Sequence, residues 1–375
     1  TADIEILTNA TNTAGSVDFS AAVNADAAAD DRILTVNAGG GAITANGAIG
    51  TTQALDSIDF DGGDITVGSI TTRDGSEAGA GVNAIDIIAG GTLTVNLDTT
   101  ALRTDGQAGG VLRLEATGGI LVDDTDGTDD GGQELELITD GGNITIASAL
   151  DDAGDDTTPN TVLVQAGSGT VTLNADVGAA TPLGGFDVDS ANVVSLQAVT
   201  TDAGNIVVGN GTADRPATVT LNGDLTSHNG TDGAGAITIH GDAVGLTANG
   251  GSAGSIRLDS DGSSDGNVTL SSDGTDGVHS TTVWQDGLTV RADTGSFTIS
   301  DATLVELDHL DVGAAAVTLG DLSLGDGAGN TNTANTGLYV ETSGTGNLTL
   351  EGDIDTTGDT VTNNAGAIDL SGVVG

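Results

Sequence analysis

The sequence lacks cysteine and lysine, and it has only four phenylalanines, one tyrosine and one tryptophan in 375 residues. Without cysteine, no disulfide bond, thiol nucleophile or cysteine-based zinc or iron–sulfur site can form. A globular sandwich or barrel of this length normally fills its core with many more aromatic side chains. The composition therefore favours a thin core lined by Val, Ile, Leu and Ala.

Positive charge is almost absent as well. Seven arginines oppose 55 acidic residues, which gives a formal net charge of −48. Because almost nothing can neutralise a phosphate backbone, nucleic-acid binding is excluded, and adsorption to anionic membranes is disfavoured. No apolar run approaches the roughly 18 residues of a membrane span, so we predict no membrane insertion. The composition suits a saline or calcium-rich exterior, and we predict an extracellular or cell-surface protein.

One short pattern, ELELITDGGNITIAS from Glu134 to Ser148, is repeated along most of the chain. Apolar and polar residues alternate on both sides of Asp140-Gly141-Gly142, which predicts two half-buried strands joined at a glycine corner. The pattern recurs as SIDFDGGDITVGS from Ser57, AIDIIAGGTLTVN from Ala84, VLRLEATGGILVD from Val111, TVLVQAGSGTVTLN from Thr161, SIRLDSDGSSDGNVTL from Ser255, LTVRADTGSFTIS from Leu288 and LYVETSGTGNLTL from Leu338.

The spacing of these modules predicts a solenoid. Their first strands begin at residues 57, 84, 111, 134 and 161, in steps of 27, 27, 23 and 27 residues, and a period in the twenties is typical of stacked repeats. Over 179–235 the period loosens around Pro182 and Pro216, which we interpret as irregular rungs with longer loops. We predict a single β-solenoid domain over 1–375, with 1–31 as an N-terminal cap. Because the chain starts at Thr1 without a signal-like segment, we expect a processed chain or a fragment.

An antiparallel meander is the alternative arrangement, since Asp-Gly-Gly can close a hairpin. A meander needs a partner sheet, whereas here successive elements direct apolar residues inward after each glycine corner. We therefore predict an all-β, right-handed parallel β-helix with about three strand faces per rung and about 14 rungs. No segment has a convincing helical period.

The pattern G-x-[ILV]-x-[ILV]-x-A-x-G-x-[ILV]-T-[ILV] resembles the β-helical repeats of filamentous-haemagglutinin-type exoproteins and large bacterial surface adhesins. The resemblance covers nearly the whole chain as a general pattern, not as a diagnostic motif. It implies a right-handed parallel β-helix, secretion and a cell-surface role. The chain is more acidic than that group, and no secretion domain is visible, which leaves the export route open.

Two loops fit the pattern D-x-D-G-x-x-D, in which carboxylates around a glycine turn can converge on a hard cation such as calcium. The alternative is a solvated corner loop, because such matches arise readily in a chain rich in Asp and Gly. The strict G-G-x-G-x-D repeat of calcium-binding β-rolls is absent, which disfavours that fold. The predicted metal ligands are Asp124, Asp126, Asp130, Asp259, Asp261 and Asp265, and a weaker third group is Asp59, Asp61 and Asp64.

Parallel β-helices also host polysaccharide lyases and hydrolases, so such an enzyme is the main alternative function. Arginine is sparse, and no N-T-D…D-D…H-G succession is present. Trp284 and Tyr339 are the conspicuous aromatics for a sugar platform, and we interpret Trp284 as a plug over a rung. We predict no enzymatic activity and no catalytic residue. The four histidines are distant in sequence and are interpreted as ordinary surface or corner residues: His228, His240, His279 and His309.

A third class is ice or mineral-surface binding through outward threonines, although β-branching alone explains threonine on strands. The residues concerned are Thr94, Thr145, Thr172, Thr238, Thr269 and Thr349. Our main prediction is a rod-like structural or adhesive element of a filament, surface layer or adhesin stalk, bridged by cations such as calcium. Its predicted partners are further copies stacked end to end or the rest of a longer polypeptide, because bare strand edges invite pairing. A cell-surface glycan is a further predicted partner.

Overall fold

The chain forms two compact units in the computed structural model. Unit 1 comprises 1–184 and 190–192, and unit 2 comprises 185–189 and 193–375. The structure describes residues 3–9, 14–26, 32–73, 83–97, 101–104, 110–124, 132–154, 157–209, 211, 214–228, 233–248, 254–281, 286–299, 305–324, 337–343, 347–355 and 367–372.

Unit 1 is built from short strands in which apolar residues alternate with polar ones. Its strands are β1 (Ile4–Leu7), β2 (Val17–Asp18), β3 (Ile33–Asn37), β4 (Ile43–Ala45), β5 (Ser57–Gly62), β6 (Ile65–Val67), β7 (Ile70–Thr72), β8 (Ile85–Ala89), β9 (Leu93–Asn96), β10 (Ala101–Thr104), β11 (Leu112–Ala116), β12 (Ile120–Asp123), β13 (Glu134–Ile138), β14 (Ile144–Ile146), β15 (Leu150–Asp152), β16 (Thr161–Gln165) and β17 (Thr170–Leu173).

The strands of unit 1 stack in three parallel ladders. Ladder A contains β1, β3, β5, β8, β11, β14 and β17. Ladder B contains β2, β4, β6, β9, β12 and β15, and ladder C contains β7, β10, β13 and β16. From β5 onward the chain visits A, B and C in turn, so unit 1 is a parallel β-helix with three strand faces. This confirms the predicted fold class, whereas the hand and the total number of rungs stay predictions.

Unit 2 has the same construction. Its strands are β18 (Gly185–Ser190), β19 (Val193–Leu196), β20 (Val199–Thr200), β21 (Ile206–Val208), β22 (Thr218–Leu221), β23 (Leu225–Thr226), β24 (Ile237–Leu246), β25 (Gly254–Asp259), β26 (Val268–Ser280), β27 (Asp286–Arg291), β28 (Ser296–Ile299), β29 (Val305–Leu307), β30 (His309–Ala314), β31 (Ala316–Leu319), β32 (Leu322–Leu324), β33 (Gly337–Thr342), β34 (Leu348–Leu350), β35 (Ile354–Asp355) and β36 (Ala367–Gly372).

Three parallel ladders also run through unit 2. Ladder D contains β19, β22, the second halves of β24 and β26, β29, β32 and β35. Ladder E contains β20, β23, β25, β27, β30, β33 and β36. Ladder F contains β18, β21, the first halves of β24 and β26, β28, β31 and β34. Because β24 and β26 each cross a corner, each contributes to two ladders, and their pairing shifts register between Gly241 and Ala243.

Columns of stacked apolar side chains form the interior of each unit. Inward positions of one strand lie directly on those of the next rung, since parallel pairing in register keeps the side-chain alternation in phase. Each fully buried side chain of this size contributes roughly 1.5–3 kcal/mol. In ladder A one such column, at most 1% exposed, is Phe60, Ile87, Leu114, Ile146 and Leu173. In ladder F another is Phe186, Ile206, Ile237, Val268, Phe297 and Val317.

Hydroxyl groups close several corners in the same way. The Thr139 hydroxyl donates to the Gly142 carbonyl at 2.6 Å, and the Ser227 hydroxyl donates to the Gly235 carbonyl at 2.6 Å. The hydroxyls of Thr201 and Ser260 make the corresponding bonds to Gly204 and Gly266. These bonds span sequence separations of 3 to 8 residues, so loops of different length end at the same corner geometry.

The module alignment predicted from the sequence is wrong at one step. The module from Val111 was aligned with the one from Glu134, but β11 pairs with β14 of ladder A, and β13 pairs with β10 and β16 of ladder C. In ladder A the true step from Leu112 to Ile144 is 32 residues. The pattern strand–glycine–strand serves both the A–B corner and the C–A corner, so like modules do not mark like positions.

The two segments that the sequence set apart also contain ladder strands. Within the predicted cap 1–31, β1 pairs with β3 and β2 with β4. Within 179–235, strands β18 to β23 lie between Pro182 and the end of the loosened stretch. Across the described ranges, no helical segment has the length and apolar character needed to cross a bilayer.

Candidate functional site

The loop between β25 and β26 is the predicted calcium loop whose three ligands all lie among the described residues. We name Asp259, Asp261, Asp265 and the neighbouring Asp293 the acidic corner. Asp259 ends β25, and its side chain is only 8% exposed. Its carboxylate pairs with the Arg257 guanidinium, and its Oδ1 atom lies 3.4 Å from Nε2 of His228, which follows β23 one rung earlier. Asp259 is therefore already partly neutralised by the protein.

Asp265 binds backbone groups of its own corner and of the next rung. Its Oδ1 accepts the Gly262 N–H at 3.0 Å, and its Oδ2 accepts the Thr294 N–H at 2.7 Å as well as the Thr294 hydroxyl. Burial opposes ionisation of Asp265, but these hydrogen bonds outweigh it and lower the pKa of the carboxyl. Asp265 thus joins two rungs in the way that Asn267 does when it accepts the Ser296 N–H.

Asp261 is the acidic-corner carboxylate with the least support. Its N–H donates to Asp259 Oδ1 at 3.2 Å, and no described residue hydrogen-bonds its carboxylate. Burial raises the pKa of Asp261, and repulsion from Asp265, Asp293 and Asp259 raises it further. A bound cation would relieve this repulsion, which is the electrostatic basis on which calcium stays our prediction here. Among the residues that the structure describes, no set of three or more His, Asp or Glu groups has metal-binding geometry.

The other predicted ligands are only partly visible. Asp124 is buried, at 5% exposure, just after β12, whereas Asp126 and Asp130 lie outside the described residues. In the weaker third group, Asp64 Oδ1 accepts the Thr92 N–H at 3.0 Å and so supports the next rung. Asp59 stacks in register on Asp86, and its pKa is raised by burial and then by the charges of Asp86 and Asp61.

The histidines do not form a common site. His240 lies in ladder F and contacts the Ser271 hydroxyl, whereas His279 lies in ladder D. His309 lies in ladder E, with Nδ1 3.0 Å from Asp308 Oδ2. Together with His228 at the acidic corner, they occupy four separate positions of unit 2. Trp284 lies outside the described residues.

An open groove of about 250 Å³ lies on the outer face of ladder E, beside the acidic corner. Gly313 stacks between Arg291 and Glu341, so the missing side chain leaves a notch between them. Tyr339, 38% exposed, forms one wall. Arg291 is held by two hydrogen bonds to Asp311, at 3.1 and 2.7 Å.

Sequence reasoning singled out Tyr339 but missed Arg291, Gly313 and Glu341 as its neighbours. The signal was available in the repeated apolar frame of LTVR, LDVG and LYVE, which begin at Leu288, Leu310 and Leu338. Aligning these apolar positions places the fourth residues of the three segments in one outward column. The charge of Glu341 raises the pKa of the Tyr339 phenol above its usual value, so the groove has a negative potential.

Five threonines form one uninterrupted outward column along ladder F. Each lies in register on the next, and the column comprises Thr238, Thr269, Thr298, Thr318 and Thr349. Three of these were named from the sequence, together with Thr94, Thr145 and Thr172. Thr145 and Thr172 are register partners in ladder A, and Thr94 pairs with Thr66 in ladder B. Comparison with known proteins gives no matching family model, no matching curated protein and no matching solved structure.

Proposed function

We propose that this protein is a non-enzymatic extracellular β-helix that acts as a structural or adhesive element of a filament, surface layer or adhesin stalk. The observation that carries the proposal is the position of its exposed aliphatic side chains. Those of β1 are Ile4, 55% exposed, and Leu7, 57% exposed; those of the last described rung are Leu350, Ile368 and Leu370, at 47%, 49% and 37%. All large aliphatic side chains elsewhere in the described ranges are better covered.

Exposed apolar residues on an outermost β-helix rung favour the addition of another rung. The outer edge of such a rung also presents backbone N–H and C=O groups that can pair with a further strand. Covering one aliphatic side chain contributes roughly 1.5–3 kcal/mol. The proposed partner is therefore either more of the same polypeptide or a second copy stacked end to end. The resemblance to filamentous-haemagglutinin-type repeats supports the same role.

The charge of the protein makes this assembly depend on ions. With 55 acidic residues and seven arginines, two copies repel each other over a Debye length of about 8 Å at physiological ionic strength. Screening by salt, or bridging by calcium, is needed for stacking. A glycan partner would be bound by the outer face or by corner loops, which vary without disturbing the core.

The test is negative-stain electron microscopy with light scattering, at low salt and after addition of NaCl or calcium. Wild-type protein is expected to form linear assemblies in salt. Leu350→Lys and Ile368→Lys should shorten them or abolish them, because each places a charge in the stacked interface. Thr145→Lys, on the outward side of ladder A, serves as the control with the same charge change. Dispersed single particles in every condition would contradict the stacking part of the proposal.

A second candidate function is favoured by the threonine column of ladder F, which offers hydroxyl and methyl groups at a regular repeat of about 4.8 Å. Such an array suits an ordered ice or mineral surface. Replacing Thr298 in the middle of the column by Glu should abolish adsorption or ice-growth inhibition, whereas Thr145→Glu should not. Equal behaviour of the two variants would count against this role.

The enzymatic alternative, a polysaccharide lyase or hydrolase, is favoured by the groove at Tyr339, where an aromatic ring faces carboxylates and an arginine. Its test is turnover of acidic and neutral glycans by the wild type and by Glu341→Gln. Product formation that Glu341→Gln abolishes would establish an enzyme. We expect no turnover by either protein.

A further inference from the structure

A second groove, of about 380 Å³, lies on the outer side of ladder C in unit 1. Three consecutive rungs supply its base, because Arg103 pairs with Ile138 and Ile138 pairs with Gln165. Asp140 and Ser190 lie at its corner side. With rungs spaced about 4.8 Å apart, the base offers a cation, an apolar side chain and an amide along about 10 Å.

Arg103 differs from the other arginines in its partners. Arg32, Arg113, Arg257 and Arg291 each form an ion pair with a carboxylate. Within the described part of the chain, Arg103 makes neither a hydrogen bond nor an ion pair. In a protein of net charge −48, an arginine that holds no carboxylate of its own can bind one from outside. The planar guanidinium donates two parallel N–H groups, which match the oxygens of a carboxylate or sulfate.

The rest of the groove limits what can accompany that oxyanion. The Ser190 hydroxyl oxygen accepts the Gly167 N–H at 3.3 Å, so its own O–H is directed elsewhere and can serve as a donor. Gln165 adds an amide, and Ile138 adds an apolar surface between the polar groups. Asp140 places a carboxylate on the opposite side, which disfavours a second negative charge. The groove therefore matches a molecule with one oxyanion on an otherwise uncharged, hydroxylated body.

The geometry points to a binding site in unit 1 for a singly charged acidic sugar unit, with Arg103 binding the carboxylate or sulfate. Ile138 lies against the ring, and Gln165 and Ser190 bind the hydroxyl groups. This site adds a recognition function that is separate from stacking through the outermost rungs. Failure of one proposal leaves the other unaffected, since the groove residues and the exposed outermost residues do not overlap.

The experiment is isothermal titration of the full chain with glucuronate, glucose 6-sulfate and glucose, together with NMR of the arginine Nε–H signals. Glucuronate tests a carboxylate, the sulfated sugar tests a sulfate, and glucose is the uncharged reference. We expect saturable binding of one equivalent of at least one acidic sugar, with glucose at least about tenfold weaker, because a charge-assisted hydrogen bond contributes about 1.5–3 kcal/mol. A shift of the Arg103 Nε–H signal on titration locates the ligand.

Three variants make the assignment specific. Arg103→Gln should weaken binding of the acidic sugar about tenfold or more. Arg113→Gln removes the same charge from another outward position, and it should leave affinity within about twofold. Asp140→Asn should strengthen binding about threefold or more, because it removes a neighbouring negative charge, and this gain distinguishes binding from a merely structural role of Arg103. Absence of saturable binding, equal affinity for glucose, or equal affinity of Arg103→Gln and the wild type would each overturn the proposal.

Discussion

Gly266 lies directly over the carbonyl oxygen of Gly235, one rung earlier in unit 2. A Cβ atom at residue 266 would fall inside the van der Waals radius of that oxygen. The same relation links Gly295 to Gly266 in the next rung. The corner before ladder F is thus a column of glycines, which lets successive backbones approach closely at a position where φ is ordinary and only space is limiting.

Substituting Gly266 by Ala should lower the free energy of unfolding by about 1–3 kcal/mol or more, because the obstructing atom is backbone and cannot rotate away. Gly313→Ala is the control. A Cβ at Gly313 would meet Arg291 Cδ at 3.6 Å, an ordinary contact, so stability should change little. Denaturant unfolding followed by circular dichroism measures both. Equal losses for the two variants would show that glycine flexibility, and not close approach, is what matters.

Two adjacent threonines at the C–A corner of unit 1 provide a test of the hydroxyl closure. Both are nearly buried, Thr104 at 2% and Thr139 at 3% exposure, but only Thr139 donates to a glycine carbonyl. Within the described residues the Thr104 hydroxyl oxygen is buried without a hydrogen-bond partner. Thr139→Val should destabilise by about 1–2 kcal/mol, whereas Thr104→Val should be neutral or stabilise by up to about 1 kcal/mol. Chemical denaturation of the pair decides the matter, and a larger loss for Thr104→Val would contradict it.

Mild acidification should stabilise the protein. Burial is the largest cause that raises the pKa of four carboxyls, those of Asp59, Asp86, Asp261 and Asp286. Between the ordinary value of 3.8 and the raised values, the folded state binds more protons than the unfolded state, so the free energy of unfolding rises as pH falls. This stabilisation is complete below 3.8 and is lost as pH rises through the folded pKa values. Asp265, whose pKa is lowered, acts in the opposite direction and only at lower pH.

The measurement is the melting temperature between pH 7 and pH 5, above the isoelectric point of about 4.1, at high salt to screen long-range repulsion. We expect a steady increase in melting temperature toward pH 5. Asp286→Asn should raise the melting temperature at pH 7 and reduce the pH dependence, because the amide mimics the protonated acid. Its Ser280 partner, whose hydroxyl donates to Asp286 Oδ2 at 2.8 Å, keeps an acceptor in the amide oxygen. A melting temperature that decreases from pH 7 to pH 5 would refute the linkage.

Calcium binding at the acidic corner is the fourth prediction. Free calcium at about 100 times its dissociation constant should stabilise the folded state by about 2.7 kcal/mol, and a chelator should reverse the effect. Asp261→Asn should reduce this stabilisation, because Asp261 is the carboxylate with no hydrogen bond from the described residues. Thr226→Asn, at the register position of Asp259 one rung earlier, is a control for substitution near the corner. An unchanged melting curve with calcium and chelator would exclude calcium from this loop.

Local pattern was sufficient for most of the fold. Alternation in segments such as Leu112–Ala116 predicted which side chains are buried, and the glycine after each run predicted a corner. Both signals are local, since the β conformation alone sends neighbouring side chains to opposite faces. The aspartates of the acidic corner were found in the same way, as a loop pattern.

Partners from other rungs could not be predicted by these means. The sequence does not show that Asp265 binds Thr294, that His228 faces Asp259, or that Gly313 opens a notch beside Tyr339. Each relation joins residues about one or two turns apart, and the length of a turn changes with every loop. The misaligned module at Glu134 has the same origin, because a step of 23 residues resembles a turn although the true steps in ladder A are 27 and 32.

The sequence by itself determined the strand alternation, the glycine corners, the acidic exterior and the parallel β-helical class. Only the tertiary structure decided which strands share a ladder, and hence which charges, hydroxyls and grooves come together. The physical reason is that the in-or-out direction of a side chain depends on its own backbone, whereas its rung partner depends on loop closure. Hydroxyl-to-glycine bonds such as Thr139 to Gly142 close loops of unequal length at one geometry, so no fixed period in the sequence records the stacking.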